Sequence, residues 1–164
     1  MRAVRVHQWG GPEVLKLEND LPQPVLTENQ VLVRIMAAGV NPVDTYIREG
    51  QYAAKPPLPY IPGRDGSGIV HSCGAKVTRF KEGDRVFMFG AWLPLAGGAC
   101  AEFCAVNEDW LMTLPPQLSF QQGAGIGVPY FTALRAIIHK GNAKRGQSML
   151  VHGASGAVGF WLYT

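Results

Sequence analysis

Charge is scarce in this 164-residue chain. Only 16% of its residues are Asp, Glu, Lys or Arg, against ~25% in ordinary globular proteins. The 15 basic and 12 acidic side chains leave a net charge of +3, with no Lys/Arg run and no basic helical face, so charge does not indicate nucleic-acid binding. Cysteine is scarcer still. Cys73, Cys100 and Cys104 cannot all pair within one chain, and Arg2 and Arg5 interrupt any secretory core at the start. A disulfide-stapled secreted scaffold is thereby disfavoured, and a reducing, cytoplasmic location is the default. No stretch reaches the roughly 18 continuous apolar residues of a membrane-spanning helix, so a soluble protein with no membrane partner is expected.

What is abundant is turn chemistry. Twenty glycines and 12 prolines are spread along most of the chain, 47% of residues are hydrophobic, sufficient for a packed core, and 164 residues are enough for one full domain and part of another. Short β-type runs occur at Ala3 to Val6, Val14 to Leu17, Val31 to Ala37, Ile69 to Ser72, Arg85 to Phe89 and Cys100 to Val106. Val31, Val33 and Ile35 alternate onto one face. Gly-Gly-Pro, Pro-Gly and Gly-Asp turns separate the runs, which predicts a mostly antiparallel barrel or sandwich.

The period changes at Ser119. Ser119 with Gln122 has the spacing of a capping box, and Phe131, Leu134 and Ile138 recur at helical spacing until Gly141. Pro129 is expected to break this region into two helices. The predicted organisation is a β-rich unit over 1–120, junction helices over 121–142 and the onset of an α/β unit over 143–164. In that last unit Met149 to His152 reads as a strand, and Gly153, Gly156 and Gly159 follow at intervals of three. Such glycines let a backbone approach a phosphate, and a helix from Ala157 to Thr164 would aim its first amides at the anion. The acidic or basic residue that reads the ribose, roughly 20 positions on, would lie beyond Thr164.

Six segments together resemble one superfamily. GGPEVL at 10–15, AAGVNPVDTYIREGQY at 37–52, PYIPGRDGSGIV at 59–70, KEGDRV at 81–86, PYFTALRAI at 129–137 and VHGASGAVG at 151–159 are similar to medium-chain dehydrogenase/reductases, and within them to the quinone oxidoreductases of the zeta-crystallin type. The resemblance implies a GroES-like catalytic barrel with short helices, followed by the first βα unit of a Rossmann domain that binds NADPH. It places the active site in the cleft between the two and a quinone as substrate. Full-length relatives are expected to be homo-oligomers.

Zinc-dependent members of the superfamily carry a ligand cysteine where this chain has GVNPVD, and a Gly-His-Glu where it has Gly63-Arg64-Asp65. Zinc needs thiolate, imidazole or carboxylate ligands, so no metal is expected. Cys100 and Cys104 read instead as reduced core or half-buried thiols. The resemblance puts Asn41 and Tyr46 on the nicotinamide side of the cleft, Tyr52 near the quinone and Thr132 against the cofactor at the domain junction. Val151, His152, Gly153, Ala154, Ser155, Gly156, Ala157, Val158 and Gly159 form the phosphate turn. Plainer readings stand beside these. Asn41 before Pro42 suits a turn, Tyr46 and Tyr52 suit a core with a satisfied hydroxyl, and Thr132 suits a back-bond within a helix. His152 also reads as a polar strand end, Ser155 as a turn former, and His7, His71 and His139 as surface residues. Asp65 is expected to hold the PGRDG turn by accepting backbone amides.

The chain departs from the family at its end. Phe160, Trp161, Leu162, Tyr163 and Thr164 crowd bulky residues where a small-residue, amphipathic helix is expected, so the tail does not read as a natural helix. An exposed apolar patch around 149–163 and weak cofactor binding follow from the missing remainder of the Rossmann unit. Three functions stay open: an NADPH:quinone reductase of which this chain is an inactive or weakly active part, a non-catalytic GroES-like structural or interaction module, and an enoyl reductase of the same superfamily.

Overall fold

The computed structural model describes residues 1–89 and 97–163. Its framework is an antiparallel sheet of five strands in the order β6-β3-β4-β5-β7, formed by β3 (Gln30–Gly39), β4 (Asp65–Cys73), β5 (Arg85–Met88), β6 (Phe103–Asn107) and β7 (Leu111–Thr113). β1 (Ala3–Val6) and β2 (Leu15–Glu18) make a separate antiparallel pair. Single bridges from Ala3 to Ala101 and from Val6 to Tyr60 join this pair to the rest. Two register shifts bend β3 against β4, between Leu32 and Val33 and between Ile35 and Ala37; such bulges increase local twist.

The alternation in β3 has the expected consequence. Val31 and Val33 enter one core with Val70, Val86, Met88, Val106 and Leu111, and Ile35 packs at its margin. Cys104 lies in that core, where burial pushes its thiol up to about 12, and Cys100 is pushed up to about 11. Neither is a ready thiolate at neutral pH. A second cluster of Val6, Val14, Ile47 and Tyr60 sits under α1 (Pro42–Arg48) and the β1–β2 pair.

Several boundaries differ from the sequence reading. Val14 closes a 3-10 turn over Pro12–Val14 rather than opening a strand. β6 begins at Phe103, leaving Cys100 before it, and the short β7 adds an edge that periodicity over three residues cannot reveal. Ser119 and Gln122 do form the reciprocal capping box of α2 (Phe120–Ala124). The break before α3 (Gly127–Leu134) falls at Gly125 and Ile126, not at Pro129. Pro129 is the third residue of α3, within the first turn, where its absent N–H has no intrahelical acceptor to lose. The helix then runs on as a π-helical segment, Arg135–Lys140, to Gly141.

Two corrections concern the C-terminal stretch. Met149 to Val151 form no strand, and His152 already belongs to the turn. A strand needs a neighbour for its N–H and C=O groups, and no strand pairs with this stretch among the described residues. The bulky tail, by contrast, is helical: α4 spans Ala157–Tyr163. Its aromatic residues give the helix something to pack on, since Trp161 meets Tyr130 of α3 edge-on at 5.3 Å between ring centroids. The expected apolar exposure is present, with Leu150 81% and Tyr163 59% accessible.

Candidate functional site

Asn41 ends the loop after β3 and caps α1. Its backbone N–H donates to Asp44 Oδ2 at 2.8 Å, which turns the first carboxylate of α1 toward the helix start. The Asn41 side chain faces the Asp44 N–H as the other half of this capping box, and its Nδ2 donates to Asp65 Oδ2 at 2.9 Å. The same Asp65 oxygen accepts the N–H of Val128 at 2.8 Å. Asp65 is thus not the holder of its own turn, as expected from PGRDG. As the first residue of β4 it ties α1 to the start of α3.

This junction is closed. Asn41 is 6% exposed and Asp65 1%, and a side chain at Gly127 would run into Asp65 Oδ1. Burial is the first cause of the rise of the Asp65 carboxyl from 3.8 to about 6; the bonds from Asn41 and Val128 oppose it. Asp44 is raised as well, chiefly by burial, while the hydrogen bond from the Asn41 N–H and then Arg64 pull it back. Below them, Tyr60 is pushed up to about 12, again by burial first.

The tyrosines divide. Tyr46, on α1, is half exposed, whereas Tyr52 packs beside the cluster of Val6, Val14, Ile47 and Tyr60. Tyr46 is thus open to solvent on α1, and Tyr52 has a clear packing role. A cavity of about 200 Å³ lies beside α1, lined by Gly39, Val40, Asp44, Thr45, Arg48 and Cys100 among others. Thr132 is exposed on α3, one helical turn after Val128.

The glycine turn forms a second group. Gly153 has φ +73°, a conformation that favours glycine. Gly156 N–H returns to Gly153 O at 3.0 Å, and Phe160 N–H reaches Gly156 O at 2.9 Å. Gly159 is buried against the backbone of Gly153, where a Cβ would clash. Ala157, Val158 and Gly159 open α4, and the first amides of a helix have no intrahelical acceptor. Exposed His152, Ser155, Gly156 and Ala157 surround this start, with Val151 and Ala154 half buried. The turn therefore fits a phosphate. Beside it, a cleft of about 670 Å³ runs between the π-helical segment and residues 143–152.

α3 connects the two groups. Its start is held by Asp65, Phe131 stacks on Phe89 at 4.2 Å, and Tyr130 receives Trp161 of α4. Residues 27–116 match the alcohol dehydrogenase GroES-like domain. The chain belongs to that family. The GroES-like chain is 54% identical over 159 residues to the quinone oxidoreductase of Mus musculus, covering 97% of this chain and 47% of that protein. It is 37% identical to the chloroplastic NADPH-dependent alkenal/one oxidoreductase of Arabidopsis thaliana, across 97% of this chain and 42% of that one. Among solved structures, Escherichia coli quinone oxidoreductase complexed with NADPH superposes with a TM-score of 0.87 at 33% identity, covering 99% of this chain and 48% of that one. The chain thus spans about half the length of the relatives it matches. These likenesses bear out its place among zeta-crystallin-like members of the medium-chain superfamily.

In the GroES-like fold, zinc would require ligands that converge. No three His, Cys, Asp or Glu side chains do so among the described residues, and one oxygen of Asp65, Oδ2, is committed to Asn41 and Val128. The histidines stay at the surface: His7 pairs with Glu18, His71 stacks edge-on with Phe103, and His139 and His152 are exposed. No described helix is long and apolar enough to cross a membrane. What the sequence reading missed is the Asp65 clamp. Its signal was an acid between glycines, Gly63-Arg64-Asp65-Gly66, together with Gly127, but their meeting across more than 60 residues has no local signature.

Proposed function

We propose that this chain forms the substrate side, and the first part of the cofactor side, of an NADPH-dependent, zinc-independent quinone reductase. The observation that carries the reading is the 54% identity to a quinone oxidoreductase across 97% of the chain. The buried Asn41–Asp65–Val128 bridge, standing where zinc members have a ligand, supports it. In this reading residues 1–120 are the catalytic domain, 121–142 the junction helices and 143–164 the start of the cofactor domain. NADPH supplies the hydride when bound. The turn from Val151 to Gly159 would hold its phosphates through backbone amides, and Asn41, Tyr46 and Thr132 would orient its nicotinamide end. Tyr46 and Tyr52 would flank a flat acceptor and exclude water, which suits a quinone: its reduction yields an aromatic ring and asks for orientation more than for a strong acid.

The chain taken alone binds cofactor weakly in this reading, because relatives are about twice its length. A cytoplasmic location and homo-oligomeric assembly of the full-length protein belong to the same proposal. The test is NADPH consumption with an ortho-quinone by the full-length protein; no quinone-dependent consumption would refute the reading. A second reading is favoured by the Arabidopsis relative, whose name specifies alkenals and enones. A quinone is itself an electron-poor enone, so a single pocket can accept both. Assaying an alkenal, an enoyl thioester and a quinone side by side separates them by kcat/KM.

A further inference from the structure

One carboxylate touches both elements that carry the proposed nicotinamide contacts. Asp65 Oδ2 holds Asn41 Nδ2 from α1 and the Val128 N–H from α3, and Thr132 lies one turn further along α3. An ionised carboxylate only accepts hydrogen bonds, so the amide end facing it must be the NH₂ group. The other end of the Asn41 amide, Oδ1, faces the Asp44 N–H at the start of α1 and keeps a second lone pair for a further donor. The nicotinamide carboxamide carries N–H donors that such an oxygen would receive.

The surroundings hold this arrangement tightly. A Cβ at Gly127 would clash with Asp65 Oδ1, and one at Gly39 would come within 3.0 Å of Asp65 Cβ. Asp65 Oδ1 has no hydrogen-bond partner among the described residues. A buried acid with one unpaired oxygen is a poor choice for stability alone, since a neutral group of the same shape avoids the cost of desolvating charge. The charged groups bearing on it are Asp44 and Arg64.

We propose that Asp65 is a positioning residue for the nicotinamide end of the cofactor, setting the orientation of the Asn41 amide and the placement of α3 with Thr132. The inference rests on the proposed NADPH reading. It predicts a defect confined to one half of the cofactor. In the full-length protein, Asp65→Asn should weaken NADPH binding about tenfold, leave 2′,5′-ADP, which lacks nicotinamide, within about twofold, and not lower the thermal midpoint.

Equal losses for both ligands, or no loss for either, would overturn the positioning role, because a merely structural residue moves both together. Should Asp65→Asn fail to fold, Asn41→Ala carries the same test. It leaves the Val128 bond in place and should shift the NADPH to 2′,5′-ADP ratio in the same direction; an unchanged ratio overturns the proposal. The two readings fail separately. A wild-type protein that binds both ligands yet reduces no quinone refutes the quinone assignment while the ratio still decides the role of Asp65. A wild type that binds neither ligand refutes both.

Discussion

The five-stranded sheet and the C-terminal third solve the burial problem in opposite ways. In the sheet, Val31, Val33, Val86, Met88 and Leu111 are fully enclosed, and successive strands satisfy one another's backbone groups. From residue 141 to 150 every residue is exposed, and among the described residues the main contact between elements made by this end of the chain is the packing of α4 on α3. Charge divides the same way: from Trp110 to Thr164 there is no Asp or Glu, while Arg135, Lys140, Lys144 and Arg145 remain. The first region supplies its own partners. The second presents side chains, backbone and charge that its own residues do not balance.

The sharpest way to test this contrast is to remove matched side chains from each region. Leu111→Ala should destabilise the sheet by about 2–5 kcal/mol, the range for deleting a buried leucine side chain, seen as a lowered urea midpoint with an unchanged slope. A midpoint unmoved by that change would mean the core is not the source of stability.

The next effect belongs to the junction between the regions. Burial raises Asp65 from 3.8 to about 6, so between those values the folded chain holds a proton that the unfolded chain releases. The contribution of this group to stability is therefore greatest below pH 4 and declines as pH rises to about 6, by roughly 3 kcal/mol. Asp65→Asn should flatten that part of the pH profile of the urea midpoint, and an unaltered slope would show that Asp65 titrates normally.

A smaller change is expected at Ser119. Replacing it with Ala removes the acceptor for the Gln122 N–H and should cost about 1 kcal/mol, with hydrogen exchange quickening first in α2. The smallest is Leu150→Ala. At 81% exposure, this residue should shift the midpoint by no more than about 0.5 kcal/mol. A large loss there would show that the C-terminal stretch is packed in solution and would break the contrast between the regions.

Much of the molecule was legible residue by residue. Six strands were readable because period-two patterning is local, and the Ser119 cap because it needs only a three-residue spacing. The π-helical run ends at Gly141, as the sequence suggested. Misreadings arose where a distant partner decides. Met149 to His152 has strand composition but no strand beside it among the described residues, and the aromatic tail becomes a helix because Tyr130 lies within reach of Trp161. Asn41 was identified through resemblance and Asp65 was given a purely local role, since nothing near either residue indicates that they share a hydrogen bond.

Composition, turn placement and side-chain alternation by themselves determined a β-rich unit, the change to helices near Ser119 and the glycine turn at 153–159, because each depends on residues a few positions apart. Only the tertiary structure decided that Asp65 binds Asn41 and Val128, that Cys104 is sealed in the core and that α4 docks on α3. Those outcomes depend on which segments meet after the chain closes long loops, and burial then sets the energetic weight of every polar group enclosed there.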